Sequence, residues 1–130
     1  MSKEEHIQFW VKQVNDDFDC ALALYKANHF AQSLFWAHLA LKKQIKALWI
    51  KNNGSNNPPY VHNILILLTE SEEIFTEEQL QFLTEMNSFQ KKGRYPDYSE
   101  SLEKTVTKEI CEEYLAGTKE MLLCLQEKML

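Results

Sequence analysis

Arg94 is the only arginine among fourteen cationic residues, and it stands in Lys91-Lys92-Gly93-Arg94-Tyr95-Pro96-Asp97-Tyr98, a stretch bounded by a glycine and stiffened by a proline. A guanidinium presents a planar fork of donors that matches phosphate or carboxylate, so this position suits anion binding. The structural alternative is that Arg94 pairs with Asp97, or with a glutamate of the C-terminal segment, and fastens the loop. Tyr95 and Tyr98 either stack on a base or cover the end of the fold. A second basic group is formed by Lys42, Lys43 and Lys46, with Lys51 nearby. Lys42 and Lys46 are one helical turn apart and share a face, and His38, four residues earlier, extends the row. That spacing fits an anion site, and it equally fits a plain solvated helix face. His62 follows two prolines and opens a short apolar run, where it can approach an anion held at a helix N-terminus.

Other chemistries are poorly supported. The histidines at 6, 29, 38 and 62 have no partner at metal-ligand spacing, and no His-Glu-x-x-His helix is present, so no metal and no cofactor are expected. Glycines at 54, 93 and 117 make no phosphate-cradling loop, and no serine occupies a nucleophile elbow. Pairs such as Glu72-Glu73 and Glu112-Glu113 read as solvated faces. Cys20, Cys111 and Cys124 are an odd set without C-x-x-C pairing, which points to reduced thiols of a cytosolic protein. The N-terminus lacks the apolar run of a signal peptide and no stretch approaches a membrane span, so the expected location is the cytoplasm, away from membranes.

These groups must be held by one domain. The chain has 130 residues, 45% of them apolar and only three each glycine and proline, which suits a single core without disulfides or a structural metal. A formal charge of -5 excludes a general phosphate-binding surface and confines any nucleic-acid contact to a local patch. Apolar residues from Ile7 to Tyr25 follow the three-and-four spacing of a helix running from about Lys3 to Ala27. After the break at Asn28 and His29, the stripe Phe30, Leu34, Ala37, Leu41, Ile45, Leu48 forms a second helix. Phe35, Trp36, Leu39, Ala40 and Trp49 lie off that stripe, so this helix is either central or at an interface, and a homodimer would cover the extra apolar surface.

Asn52 to Pro59 is a loop, because its turn formers and prolines cannot continue a helix. A brief third helix is expected over Ile64 to Leu68. Thr76 and Gln79 make a capping box for a fourth helix ending near Gln90, followed by a loop over the Arg94 stretch. A long final helix is expected from Ser101, with Leu102, Val106, Ile110, Tyr114, Gly117, Met121 and Cys124 near a heptad. With no strand signals, the fold is an all-α, up-and-down antiparallel helical bundle of four to five helices.

The run Trp36-Ala37-His38-Leu39-Ala40-Leu41-Lys42-Lys43-Gln44-Ile45-Lys46-Ala47-Leu48, then Val61-His62-Asn63-Ile64, then Gly93-Arg94-Tyr95-Pro96-Asp97 resembles, in that order, the HEPN domain. The resemblance extends from about Phe9 to Leu125, and Arg-Tyr-Pro-Asp is its most specific element. It implies a single HEPN-like domain that binds nucleotide or RNA, dimerises, and works beside a minimal nucleotidyltransferase in a two-component system of toxin–antitoxin type. It also implies nucleotide or phosphate contacts at Arg94, Lys43, Lys46, His62, Tyr95 and Asp97. The sequence departs from the family pattern at His38, Lys42 and Asn63. Ribonuclease members of the family carry an arginine followed four to six residues later by a histidine, whereas no histidine follows Arg94, so independent catalysis is not expected. Three readings follow: a nucleotide- or RNA-binding subunit, a helical interaction module without a small ligand, and, last, a metal-independent ribonuclease.

Overall fold

The computed structural model describes residues 2–55, 57–58, 64–71, 73–94 and 106–130, with the backbone alone for residue 64 and residues 90–94. Among the described residues there are five helices and no strand: α1 (Lys3–Lys26), α2 (Phe30–Asn52), α3 (Ile64–Ser71), α4 (Glu77–Arg94) and α5 (Lys108–Glu127). The all-α bundle expected from the apolar periodicity is the observed architecture.

Local chemistry sets the helix ends. Ser2 and Glu5 form a reciprocal capping box that opens α1. The closing turn of α1 is a Schellman arrangement: the amide of His29 donates to the Leu24 carbonyl at 2.8 Å and that of Asn28 to Tyr25 at 3.0 Å. Asn28 takes the left-handed conformation this turn needs, at φ 66°, which asparagine tolerates better than most residues. The Thr76 and Gln79 box is present as expected, with reciprocal bonds of 2.9 and 3.1 Å.

Three expected boundaries are corrected. The third helix continues past Leu68 to Ser71. The fourth does not stop near Gln90 but runs on to Arg94, because one glycine costs a helix only about 1 kcal/mol, whereas Pro96 first bars the helical conformation at residue 95. Arg94 therefore ends a helix. The final helix starts at Lys108, not Ser101. Thr107 is extended and its hydroxyl accepts from the Ile110 amide at 3.2 Å. Residues 101–105, including Leu102, lie outside the described residues.

The second helix is central. Leu34, Leu41, Ile45, Leu48 and Ile50 are all at 0% exposure, and α1, α3, α4 and α5 all pack against it. α1 lies antiparallel to α2: the Lys3 ammonium reaches the Ile50 and Asn53 carbonyls at 2.9 and 2.6 Å, and at the other end Tyr25 meets Phe30. Small residues let the pair approach closely. Ala21, Ala37, Ala40 and Ala47 are fully buried, and the Ser33 hydroxyl donates to the Ala21 carbonyl at 2.6 Å. α5 runs parallel to α2, with the Cys111 thiol at Phe30 and the Lys51 ammonium at the Lys128 carbonyl. α4 runs antiparallel to α5, joined by Gln79 to Cys124 at one end and Glu85 to Tyr114 further along.

Much of the off-stripe apolar surface of α2 is covered within the chain. Trp49 is buried and its indole donates to Glu70 at 2.8 Å, while Trp36 packs against the core and Phe35 is half-buried, its ring beside His38. Part of the excess hydrophobicity thus follows from the helix being enclosed on several sides, while Phe35, Trp36 and Leu39 stay half-buried.

Candidate functional site

The lysines of α2 do not form a solvated row. Lys43 reaches the Asp17 carboxylate at 2.8 Å, with side-chain exposures of 22% for the lysine and 8% for the aspartate. Lys46 lies over the Trp10 ring, 4.7 Å from its centroid, and burial first, then the neighbouring Lys43 charge, lowers its pKa. Lys42 is buried. His38, expected to extend the row, is fully enclosed, with Nδ1 3.2 Å from the Phe35 carbonyl. Lys43 and Lys46 therefore sit on the seam between α1 and α2, held by Asp17 and Trp10. Such a seam is positively charged and partly desolvated, which strengthens its attraction for anions. An incoming phosphate must compete with Asp17 for Lys43.

That competition gives a measurable expectation. Asp17→Asn is expected to lower stability by about 1–2 kcal/mol, because a nearly buried ion pair loses one partner while the other stays partly hydrated. The same change is expected to strengthen the binding of pyrophosphate, since Lys43 is released. A thermal melt combined with calorimetric titration of pyrophosphate reads both signs; unchanged pyrophosphate affinity would show that Lys43 is purely structural.

Arg94 stands elsewhere along the bundle. Because α4 is antiparallel to α5 and α5 parallel to α2, the C-terminal end of α4 comes to the Phe30 end of α2. Lys43 is thirteen residues further along α2 than Phe30, roughly 20 Å at 1.5 Å per residue. The side chain of Arg94, together with His62, Tyr95, Asp97 and Tyr98, lies outside the described residues.

At the Phe30 end there is a hollow of about 270 Å³ lined by Asn28, His29, Phe30, Ala31, Gln32 and Val106. It surrounds the N-terminus of α2, whose first turn carries no acidic residue and whose cap residue, His29, makes no side-chain capping bond. First-turn amides of a helix lack intrahelical acceptors and favour negative charge. From the sequence alone, Asn28 and His29 show only as a break between helices. The signal that could have identified them is an asparagine at a helix end followed by a helix start with neither a capping side chain nor an acid.

The chain matches the HEPN domain over residues 7–128. It belongs to the HEPN domain family. No curated protein matches it, and no solved structure does. The HEPN match spans the α1–α2 seam, the last turn of α4 and all of α5, so every candidate residue falls inside the HEPN domain. No described helix of this HEPN chain is long and apolar enough to cross a membrane.

Proposed function

We propose that the chain is a nucleotide- or RNA-binding subunit that works with a minimal nucleotidyltransferase in a two-component system of toxin–antitoxin type. The observation that carries this reading is the HEPN match itself, joined to the Gly93-Arg94-Tyr95-Pro96-Asp97 motif of the sequence, whose first two residues end α4. In this reading Arg94 is the principal phosphate contact, with Tyr95, Asp97 and His62 beside the ligand. Lys43 and Lys46 then form a second positive point about 20 Å of helix away, a spacing that favours an RNA strand over a mononucleotide. A cytoplasmic homodimer is part of the proposal; its support is the family resemblance, together with Phe35, Trp36 and Leu39, which the chain covers only in part.

The test is a thermal-shift screen with nucleotides, followed by titration of transfer RNA, because a ligand bound only by the folded state raises the melting temperature. Arg94→Lys is expected to weaken binding by about 1–2 kcal/mol, as a point charge replaces a bidentate fork, and Arg94→Ala to weaken it further. If no nucleotide and no RNA shifts the melting temperature of the parent chain, the reading fails. The second reading, a helical interaction module, is favoured by the ion pair already occupying Lys43.

A further inference from the structure

α4 and α5 meet differently from α1 and α2. No run of small residues draws them together, and between them lies an open groove of about 460 Å³. Its floor is apolar or weakly polar: Phe82, Gly117, Met121 and Cys124. Gly117 has a reason to be glycine. A Cβ built there would lie 2.7 Å from the Phe82 ring, so the ring rests on bare α5 backbone and the groove keeps its depth. The Gln79 amide donates across the groove to the Cys124 sulfur at 3.3 Å.

The walls are acidic. On the α5 side Glu113, Glu120 and Glu127 recur every seven residues and all are exposed, which puts them in one row along the helix. On the α4 side Glu78 and Glu85 repeat the same interval, and Glu85 accepts from Tyr114. None of the residues lining the groove is cationic. Leu123, beside the α5 row, is 54% exposed. An apolar trough between two rows of glutamates is complementary to a helix with an apolar stripe flanked by lysines or arginines.

We propose that the α4–α5 groove docks a basic amphipathic helix of another protein. The apolar stripe of that helix lies over Phe82, Gly117 and Cys124, and its flanking cations face Glu78 on one side and Glu113, Glu120 and Glu127 on the other. The proposal does not rest on the nucleotide-binding reading, since the groove contains none of the residues assigned to anion contact.

The experiment uses the full chain carrying Cys20→Ser, which removes the exposed thiol and leaves the half-buried Cys124 as the accessible one. The probe is a labelled fourteen-residue peptide of leucine and lysine with its leucines at helical spacing. Two control peptides are used, one of the same composition with scrambled order and one with glutamate in place of lysine. Binding is read by fluorescence anisotropy, and occupancy of the groove by the rate at which iodoacetamide alkylates Cys124. The expected result is saturable binding of the amphipathic peptide, at least fivefold slower alkylation at saturation, and at least tenfold weaker binding to the Glu113→Lys, Glu120→Lys variant at unchanged melting temperature. Equal binding of the scrambled or the glutamate peptide, or alkylation unaffected by the bound peptide, overturns the proposal. So does self-association in light scattering that protects Cys124 without peptide, which would make the occupant a second copy of this chain. Should the charge-reversed variant melt early, Cys124 protection in the parent, with the two control peptides, still decides.

Discussion

Leu41→Ala is expected to lower the stability of the chain by about 3–5 kcal/mol. Leu41 is fully buried near the middle of α2, within the single core cluster to which every helix contributes. Truncating it removes apolar contact and leaves a cavity that helices packed on several sides of α2 cannot all move to fill. In a domain of this size that loss is worth on the order of 10–20 °C of melting temperature, read by circular dichroism at 222 nm. Leu123→Ala, at an exposed leucine of the same chain, is the comparison, and its effect should stay within about 0.5 kcal/mol. A Leu41→Ala loss no larger than that of Leu123→Ala would contradict the central position of α2.

The second large effect is expected at Trp49. Trp49→Ala should cost about 3–5 kcal/mol, because a buried indole is the largest single side chain joining α2 to α3. Trp49→Phe should cost about 1 kcal/mol, since a ring remains and only the bond to Glu70 is lost, while the exposed Glu70 carboxylate is rehydrated. Chemical denaturation of both variants separates ring burial from the hydrogen bond. Equal losses in the two would mean that the bond to Glu70, and not the ring, holds α3 in place.

The architecture was legible because α1, α2 and α4 carry regular apolar stripes and recognisable breaks. The box at Thr76 and Gln79 is legible in the sequence, for its partners are three residues apart and need no tertiary information. Boundaries failed where two local signals disagreed. At the end of α4 Gly93 and Pro96 both read as breaks, although only the proline forbids helix. At the start of α5 the interval from Leu102 to Val106 continued the stripe past Thr107, a capping residue. The basic residues of α2 were harder still. Nothing in the order Lys42, Lys43, Lys46 shows that Asp17 and Trp10, 26 and 36 residues earlier, face Lys43 and Lys46 respectively. Nor does the local sequence reveal that His38 is enclosed, because burial depends on how many helices surround α2. The groove between α4 and α5 was invisible for the same reason: Gly117 reads as a weak position in an apolar stripe until Phe82 is seen against it.

The tight turn at Asn28 bears on the order in which the molecule assembles. Only Ala27, Asn28 and His29 separate α1 from α2, so closing this hairpin fixes little chain and its contacts are among the nearest in sequence. α5 must find α2 across more than fifty intervening residues, which is a slow search by comparison. During synthesis the first fifty residues therefore emerge as a paired unit whose outer α2 surface, including Leu34, Leu41 and Ile45, stays bare until the C-terminal helices leave the ribosome. That interval is when the chain is most open to aggregation, and any change that delays pairing at Asn28 lengthens it.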